Sequence, residues 1–140
     1  MYIYHNVLNI KTLESIIEKG FILKDEKYTH FEPCVYLTRN PNYLSNRGIR
    51  IVFDYNKLKY NYKIKPFCYK GWMQQNGYNT KIKNDEMEER CYNNINIIKC
   101  CVRIDIDITK YPNLNIVNPL ICFRNKFILT SLDLKINKSR

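Results

Sequence analysis

The sequence predicts an α+β protein: a sheet of about six or seven strands with an early amphipathic helix. Three observations predict it. Short runs of β-branched and aromatic residues recur, the clearest being Val102, Ile104, Ile106 and Ile108 at a period of two. One segment, around Ile10, Leu13, Ile16 and Ile17, has the spacing of a helix stripe. Gly is scarce at 4 while Tyr, Phe and Trp number 12, 6 and 1, a balance that favours strands over loops and repeats.

Taken in order, Tyr2 to His5 reads as a first strand. Asn9 caps the helix, and Gly20 closes it where a left-handed residue is wanted. Phe21 to Leu23 resumes in extended form, and Asp25 to Pro33 is a polar loop. Cys34 to Thr38 is a compact strand, which Arg39-Asn-Pro-Asn-Tyr closes as a turn or helix start. After the basic Asn46-Arg-Gly-Ile-Arg50 comes a strand at Ile51 to Asp54, then a turn at Tyr55 to Leu58. Tyr60 to Phe67, with Pro66 and several Lys, reads as a charge-protected edge strand. Cys68 to Lys83, with Trp72 and two Gly, reads as an excursion that covers a ligand or contacts a substrate. Beyond the Val102 to Ile108 strand, Tyr111-Pro and Asn118-Pro make turns. Cys122 to Leu134 supplies one or two closing strands, and Lys135 to Arg140 forms a basic tail that frays. A second helix is left open, and few signs of βαβ alternation appear.

At 140 residues the chain fits one domain spanning residues 1–140, with one core. A formal charge of +10 favours polyanionic partners or anionic cofactors, or else serves only to keep the surface soluble. No apolar run of membrane-spanning length and no signal peptide appears, so a soluble, cytoplasmic monomer without a membrane partner is expected. The six Cys form no Cys-x-x-Cys and the 2 His are not spaced to complete a zinc site with them, which points to reduced, buried thiols and no metal.

The acids cluster against this basic background. Asp85, Glu86, Glu88 and Glu89 fall within five residues, four of the chain's 13 acids. They read as a helix start, where the dipole favours negative charge, as a solvated acidic turn, or as carboxylates placed to act on a bound sugar. On a strand, Glu86 and Glu88 would share one face and Glu89 the other.

The run Tyr4-His5 through the apolar helix to Gly20 resembles the opening of ADP-ribosyltransferase-fold proteins, and is similar to the DarT type of DNA ADP-ribosylating toxin. Val35-Tyr36-Leu37-Thr38 resembles the second motif of the His-Tyr-Glu members, and Glu86-Met-Glu88 the third, in its Glu-x-Glu form. No Gly precedes Tyr36, and the chain is small for such a toxin. The resemblance implies an ADP-ribosyltransferase-like split β-sandwich with NAD as substrate and no metal. It implies transfer of ADP-ribose to a macromolecular acceptor, nucleic acid or protein. Such an enzyme in a Lys- and Asn-rich chain is expected to be viral or phage-encoded, acting on a factor in the host cytoplasm.

It also implies roles. Cleavage of the bond between nicotinamide and ribose develops positive charge on the ribose, so a fixed carboxylate, Glu88, stabilises the transition state. Glu86 would orient or deprotonate the acceptor, and Glu89 would face away and pair with a Lys. His5 would donate a hydrogen bond to a ribose hydroxyl, Tyr36 would stack on nicotinamide, and Thr38 belongs to the same cofactor-binding strand. Arg39, then Arg47 and Arg50, are candidates for the pyrophosphate, because a guanidinium forks onto phosphate oxygens. The residues alone allow blander readings: a core His, one more core Tyr and surface Arg. An alternative function is a catalytically silent module binding a nucleotide, or binding nucleic acid through Lys57, Lys59, Tyr60, Tyr62, Lys63 and Lys65. The fold's RNA 2′-phosphotransferases need further basic residues that this chain does not offer in a recognisable pattern.

Overall fold

The computed structural model describes residues 1–23, 33–67, 71, 75, 77, 87–107, 109–112 and 128–129. The expected loop at 25–32, most of the excursion at 68–83, Glu86, the turn at Asn118-Pro, most of the closing segment and the basic tail lie outside the described residues. The fold class is α+β, as expected. Strands β1 (Tyr2–Asn6), β2 (Val35–Thr38), β3 (Ile49–Asp54), β4 (Ile64–Pro66), β5 (Glu88–Cys91), β6 (Cys101–Ile106) and β7 (Ile128–Leu129) form one hydrogen-bonded sheet, in the order β4-β5-β2-β1-β3-β6-β7. Neighbours from β4 to β6 run antiparallel, and β7 adds to β6 in parallel.

Helix α1 (Ile10–Lys19) forms for the reasons legible in the sequence. The Asn9 side chain accepts from the Thr12 N–H at 2.8 Å and so satisfies a first-turn donor. Leu13, Ile16 and Ile17 are buried in one cluster with Ile3, Leu37, Ile51 and Phe53 from the central strands. Gly20 ends the helix at φ 74°, its N–H bonded to the Ile16 carbonyl at 2.7 Å. It also lies against the chain near Ile95, where Phe21 and Ile95 exchange backbone hydrogen bonds. Phe21 to Leu23 therefore makes an isolated bridge in place of the expected strand.

Two expectations are corrected. The segment read as a turn at Tyr55 is helix α2 (Tyr55–Asn61), because Asp54 caps the Lys57 N–H at 3.0 Å and Leu58 finds full burial. Of the readings open for the acidic cluster, the helix start is excluded for Glu88 and Glu89, which open β5, and a one-turn helix, α3 (Ile97–Cys100), comes only later. The expected edge strand shortens to β4, which does lie at the sheet edge with Lys63 and Lys65 exposed. Among the described residues no helix is long and apolar enough to cross a membrane. Cys34, Cys91, Cys100 and Cys101 are not joined in disulfides, and the last three are buried.

One feature of the sheet positions the site. β1 pairs with β3 over five consecutive residues, but with β2 only at Tyr4 and Thr38. Where a longer ladder would set Asn6 against Tyr36, the Tyr36 carbonyl instead takes the His5 side chain, Nδ1 to O 2.8 Å.

Candidate active site

A cleft opens where β1 and β2 part. Its volume is ≈ 260 Å³, and β1 contributes Tyr4, His5 and Asn6 to its lining. β2 contributes Tyr36, Leu37 and Thr38, β5 contributes Glu88, and the β2–β3 connection closes it with Tyr43, Leu44 and Arg47. His5, Tyr36, Thr38 and Glu88 thus converge from three strands. The register accounts for this: Thr38 lies opposite both Tyr4 and Glu88, so β2 carries the cleft from the His strand to the Glu strand.

His5 is half-buried, with its ring edge-on to Phe21 at 4.6 Å between centroids. A carbonyl oxygen only accepts, so Nδ1 carries the proton in the bond to Tyr36. Burial lowers the His5 pKa from its ordinary value; the Tyr36 carbonyl opposes this and the Arg47 charge adds to it. The imidazole is therefore neutral at pH 7 with its lone pair on Nε2. With Nδ1 donating to the Tyr36 carbonyl, the nitrogen left over is Nε2, which can accept a hydrogen bond but not donate one.

Tyr36 is 44% exposed, so it is not a core aromatic. Burial of the rest of the ring raises its phenol pKa, with Cys34 adding and Arg90 opposing. Glu88, its side chain 14% exposed, lies 3.3 Å from Arg90 Nε. The residue before it, Met87, has φ 44°, and Leu44 in the opposite wall has φ 54°. Leu44 lines the cleft and Met87 precedes a residue that does, and such left-handed non-Gly backbone is the kind of local strain that binding sites retain. Thr38 is buried, its hydroxyl accepting from the Asn40 N–H at 3.0 Å, and so it shapes the start of the β2–β3 connection.

The arginines sort differently from the expected order. Arg39 does not line the cleft: its Nε lies 3.6 Å from Glu89, on the opposite face of β5 from Glu88. Glu89 faces away as expected, but its partners are Arg39 and the Tyr55 hydroxyl, not a Lys, and it is 1% exposed. Arg50 is not a surface charge and does not line the cleft. At 2% exposed, it bonds Asp105 at 2.8 Å and the Pro41 carbonyl at 2.9 Å, and lies 4.8 Å from the Tyr4 ring centre. Arg47 is the exposed guanidinium at the cleft, with Nη1 3.4 Å from the Asn6 carbonyl. Glu86 lies outside the described residues.

Sequence reasoning did not single out Asn6, Tyr43 or Leu44. Asn6 donates to the Tyr43 carbonyl at 2.9 Å and so ties the connection to β1. No local pattern marks that contact, which spans 37 residues. Among the described residues no three His, Cys, Asp or Glu side chains are grouped to hold a metal. The chain matches no protein-family model, no curated protein and no solved structure.

Proposed function

We propose that this chain is an NAD-dependent ADP-ribosyltransferase on an ADP-ribosyltransferase-like split β-sandwich, passing ADP-ribose to a macromolecular acceptor. The observation that carries the reading is the convergence of His5, Tyr36 and Glu88 on one cleft, from positions 31 and 52 residues apart in the chain. The parting of β1 from β2 after a single ladder pair supports the split arrangement. A cleft of ≈ 260 Å³ falls just below the roughly 300–1,000 Å³ of small-molecule sites, which suits the nicotinamide ribose end of NAD, with the rest lying along the mouth.

In this reading the glycosidic C–N bond breaks and its electron pair leaves with the nicotinamide ring. Glu88 stabilises the oxocarbenium left on the ribose, a charge that exists fully only near the transition state. His5 Nε2 accepts from a ribose hydroxyl and the exposed Tyr36 ring supplies an aromatic face for nicotinamide. Of the three candidate arginines, Arg47, which lines the cleft, serves as the pyrophosphate ligand. Glu86, two residues before Glu88, takes the proton that the acceptor nucleophile loses as it attacks. The acceptor is a nucleic acid or a protein. The enzyme works as a cytoplasmic monomer, in the host cytoplasm if it is viral or phage-encoded.

The test is nicotinamide release from NAD by the pure protein, with and without candidate acceptors. Glu88→Gln keeps the shape and removes the charge, and should lower the rate by about 100-fold or more. Equal release by the variant and the wild type would sink the enzymatic reading.

A second reading is a catalytically silent module of the same fold that binds nucleic acid. It draws on Lys57, Lys59, Lys63 and Lys65, all exposed along α2 and β4, and on Tyr60, 91% exposed beside them. Tyr62 drops out of this set, since its hydroxyl accepts from the Asn96 N–H at 3.0 Å and its ring packs on the core. Here affinity for single-stranded nucleic acid should fall steeply with salt, and Glu88→Gln should change nothing.

A further inference from the structure

Arg90 touches two of the three residues on which the proposed function rests. Its Nε donates to Glu88 Oε2 at 3.3 Å, and its Cζ lies 5.2 Å from the Tyr36 ring centre. Phe67 covers it as well, with 3.3 Å from Cζ to the ring centre, leaving the side chain 4% exposed. The sheet dictates the arrangement. Arg90 follows Glu88 by two residues and so shares its face of β5, and it stands directly across from Tyr36 in the β2–β5 ladder. On the other side the Phe67 N–H bonds the Glu88 carbonyl at 3.0 Å, which brings the second aromatic partner into place.

A guanidinium this buried is costly unless its charge and its flat faces are both used. Here the edge meets a carboxylate and the plane lies against rings, a combination that an ammonium group does not reproduce. Glu88 and Tyr36 sit on neighbouring strands, and Arg90 contacts both side chains.

We propose that Arg90 is a positioning residue, joining the Glu88 carboxylate to the Tyr36 ring so that both meet the same nicotinamide ribose in one fixed geometry. The inference rests on the ADP-ribosyltransferase reading for its catalytic consequence, though the coupling itself exists without ligand. Misplacing a reacting group by about 1 Å costs on the order of 100-fold in rate, which is the scale on which Arg90 acts.

The experiment compares wild type, Arg90→Met, Arg90→Lys, Glu88→Gln and the Arg90→Met/Glu88→Gln double variant, in two arms. In steady-state nicotinamide release, Arg90→Met should lower kcat by about 10- to 100-fold, and Arg90→Lys should recover only part. In the Glu88→Gln background, Arg90→Met should cost less than about twofold more, because the loss runs through Glu88. Equal losses in both backgrounds overturn the proposal, since a merely structural Arg90 acts the same with or without the carboxylate. The second arm is ¹³C NMR of the ligand-free protein: Arg90→Met should move both the Glu88 carboxyl and the Tyr36 ring resonances. A Glu88 resonance unmoved by the substitution refutes the proposal even if no protein turns over NAD. Conversely, a wild type that releases no nicotinamide but shows the coupled shifts refutes the enzymatic reading alone. Should Arg90→Met not fold, Arg90→Lys decides by the same two readouts.

Discussion

Replacing Asp105 by Asn tests whether Arg50 serves the fold or a ligand. Arg50 and Asp105 stand opposite each other on β3 and β6, and their side chains are 2% and 0% exposed. Removing one member of a buried pair costs about 3–5 kcal/mol, because the other charge stays desolvated. The two partners should not be equivalent. Without Arg50, Asp105 keeps Arg103, whose Nε lies 2.9 Å away, so Arg50→Met should fall near the lower figure, about 3 kcal/mol. Without the Asp105 charge, Arg50 keeps the Pro41 carbonyl and the Tyr4 face, while its Nη2 is already buried with no hydrogen-bond partner. Asp105→Asn should therefore approach about 5 kcal/mol, a large part of the roughly 5–15 kcal/mol by which a domain is stable. Urea unfolding followed by fluorescence measures both, and the loss should appear as a melting point lower by roughly 10–20 °C. The Arg50→Met/Asp105→Leu double variant should lose less than the sum of the single substitutions, because Arg103, 21% exposed, can turn to water. NAD affinity of the folded Arg50→Met protein should match wild type while Arg47→Met weakens it. A stable Asp105→Asn protein, or an Arg50→Met protein that folds normally and loses NAD, would show that Arg50 belongs to the site after all.

Other perturbations reach different parts of the molecule. Gly20→Ala should destabilise by at least about 1–2 kcal/mol, since φ is 74° and a Cβ there would lie 2.6 Å from the Ile95 carbonyl oxygen. A loss under about 0.5 kcal/mol in chemical denaturation would mean that the helix end and the Ile95 segment are not held as described. The Tyr55 phenol is pushed up to about 12, first by burial and then by its bond to Glu89. Because the folded form keeps a proton that the unfolded chain releases near pH 10, this contribution is present below about pH 10 and is lost as pH rises towards 12. Tyr55→Phe should remove that part of the alkaline slope. It should also cost about 1–3 kcal/mol at neutral pH, by leaving a buried Glu89 oxygen without its donor. Identical stability–pH curves for the variant and the wild type between pH 10 and 12 would contradict the Tyr55–Glu89 bond.

What the sequence determined by itself is whatever depends on neighbours a few residues away. The Asn9 cap, the Leu13–Ile16–Ile17 stripe and the Gly20 stop are one helical turn or less in reach, so helix α1 follows from local chemistry. The opposite facing of Glu88 and Glu89 follows from the pleat alone. Only the tertiary structure decided which partner each long side chain found. Arg39 went to Glu89 and Arg50 to Asp105 because the strand order sets those pairs side by side across 50 and 55 residues of chain. Pairing of this kind is chosen by register and burial, neither of which leaves a periodic trace. The hydrogen-bonding sense of His5 was settled in the same way, by a carbonyl 31 residues distant at the point where two strands separate. Side-chain identity placed the chemistry within reach, and the parting of β1 from β2 gave it a cleft.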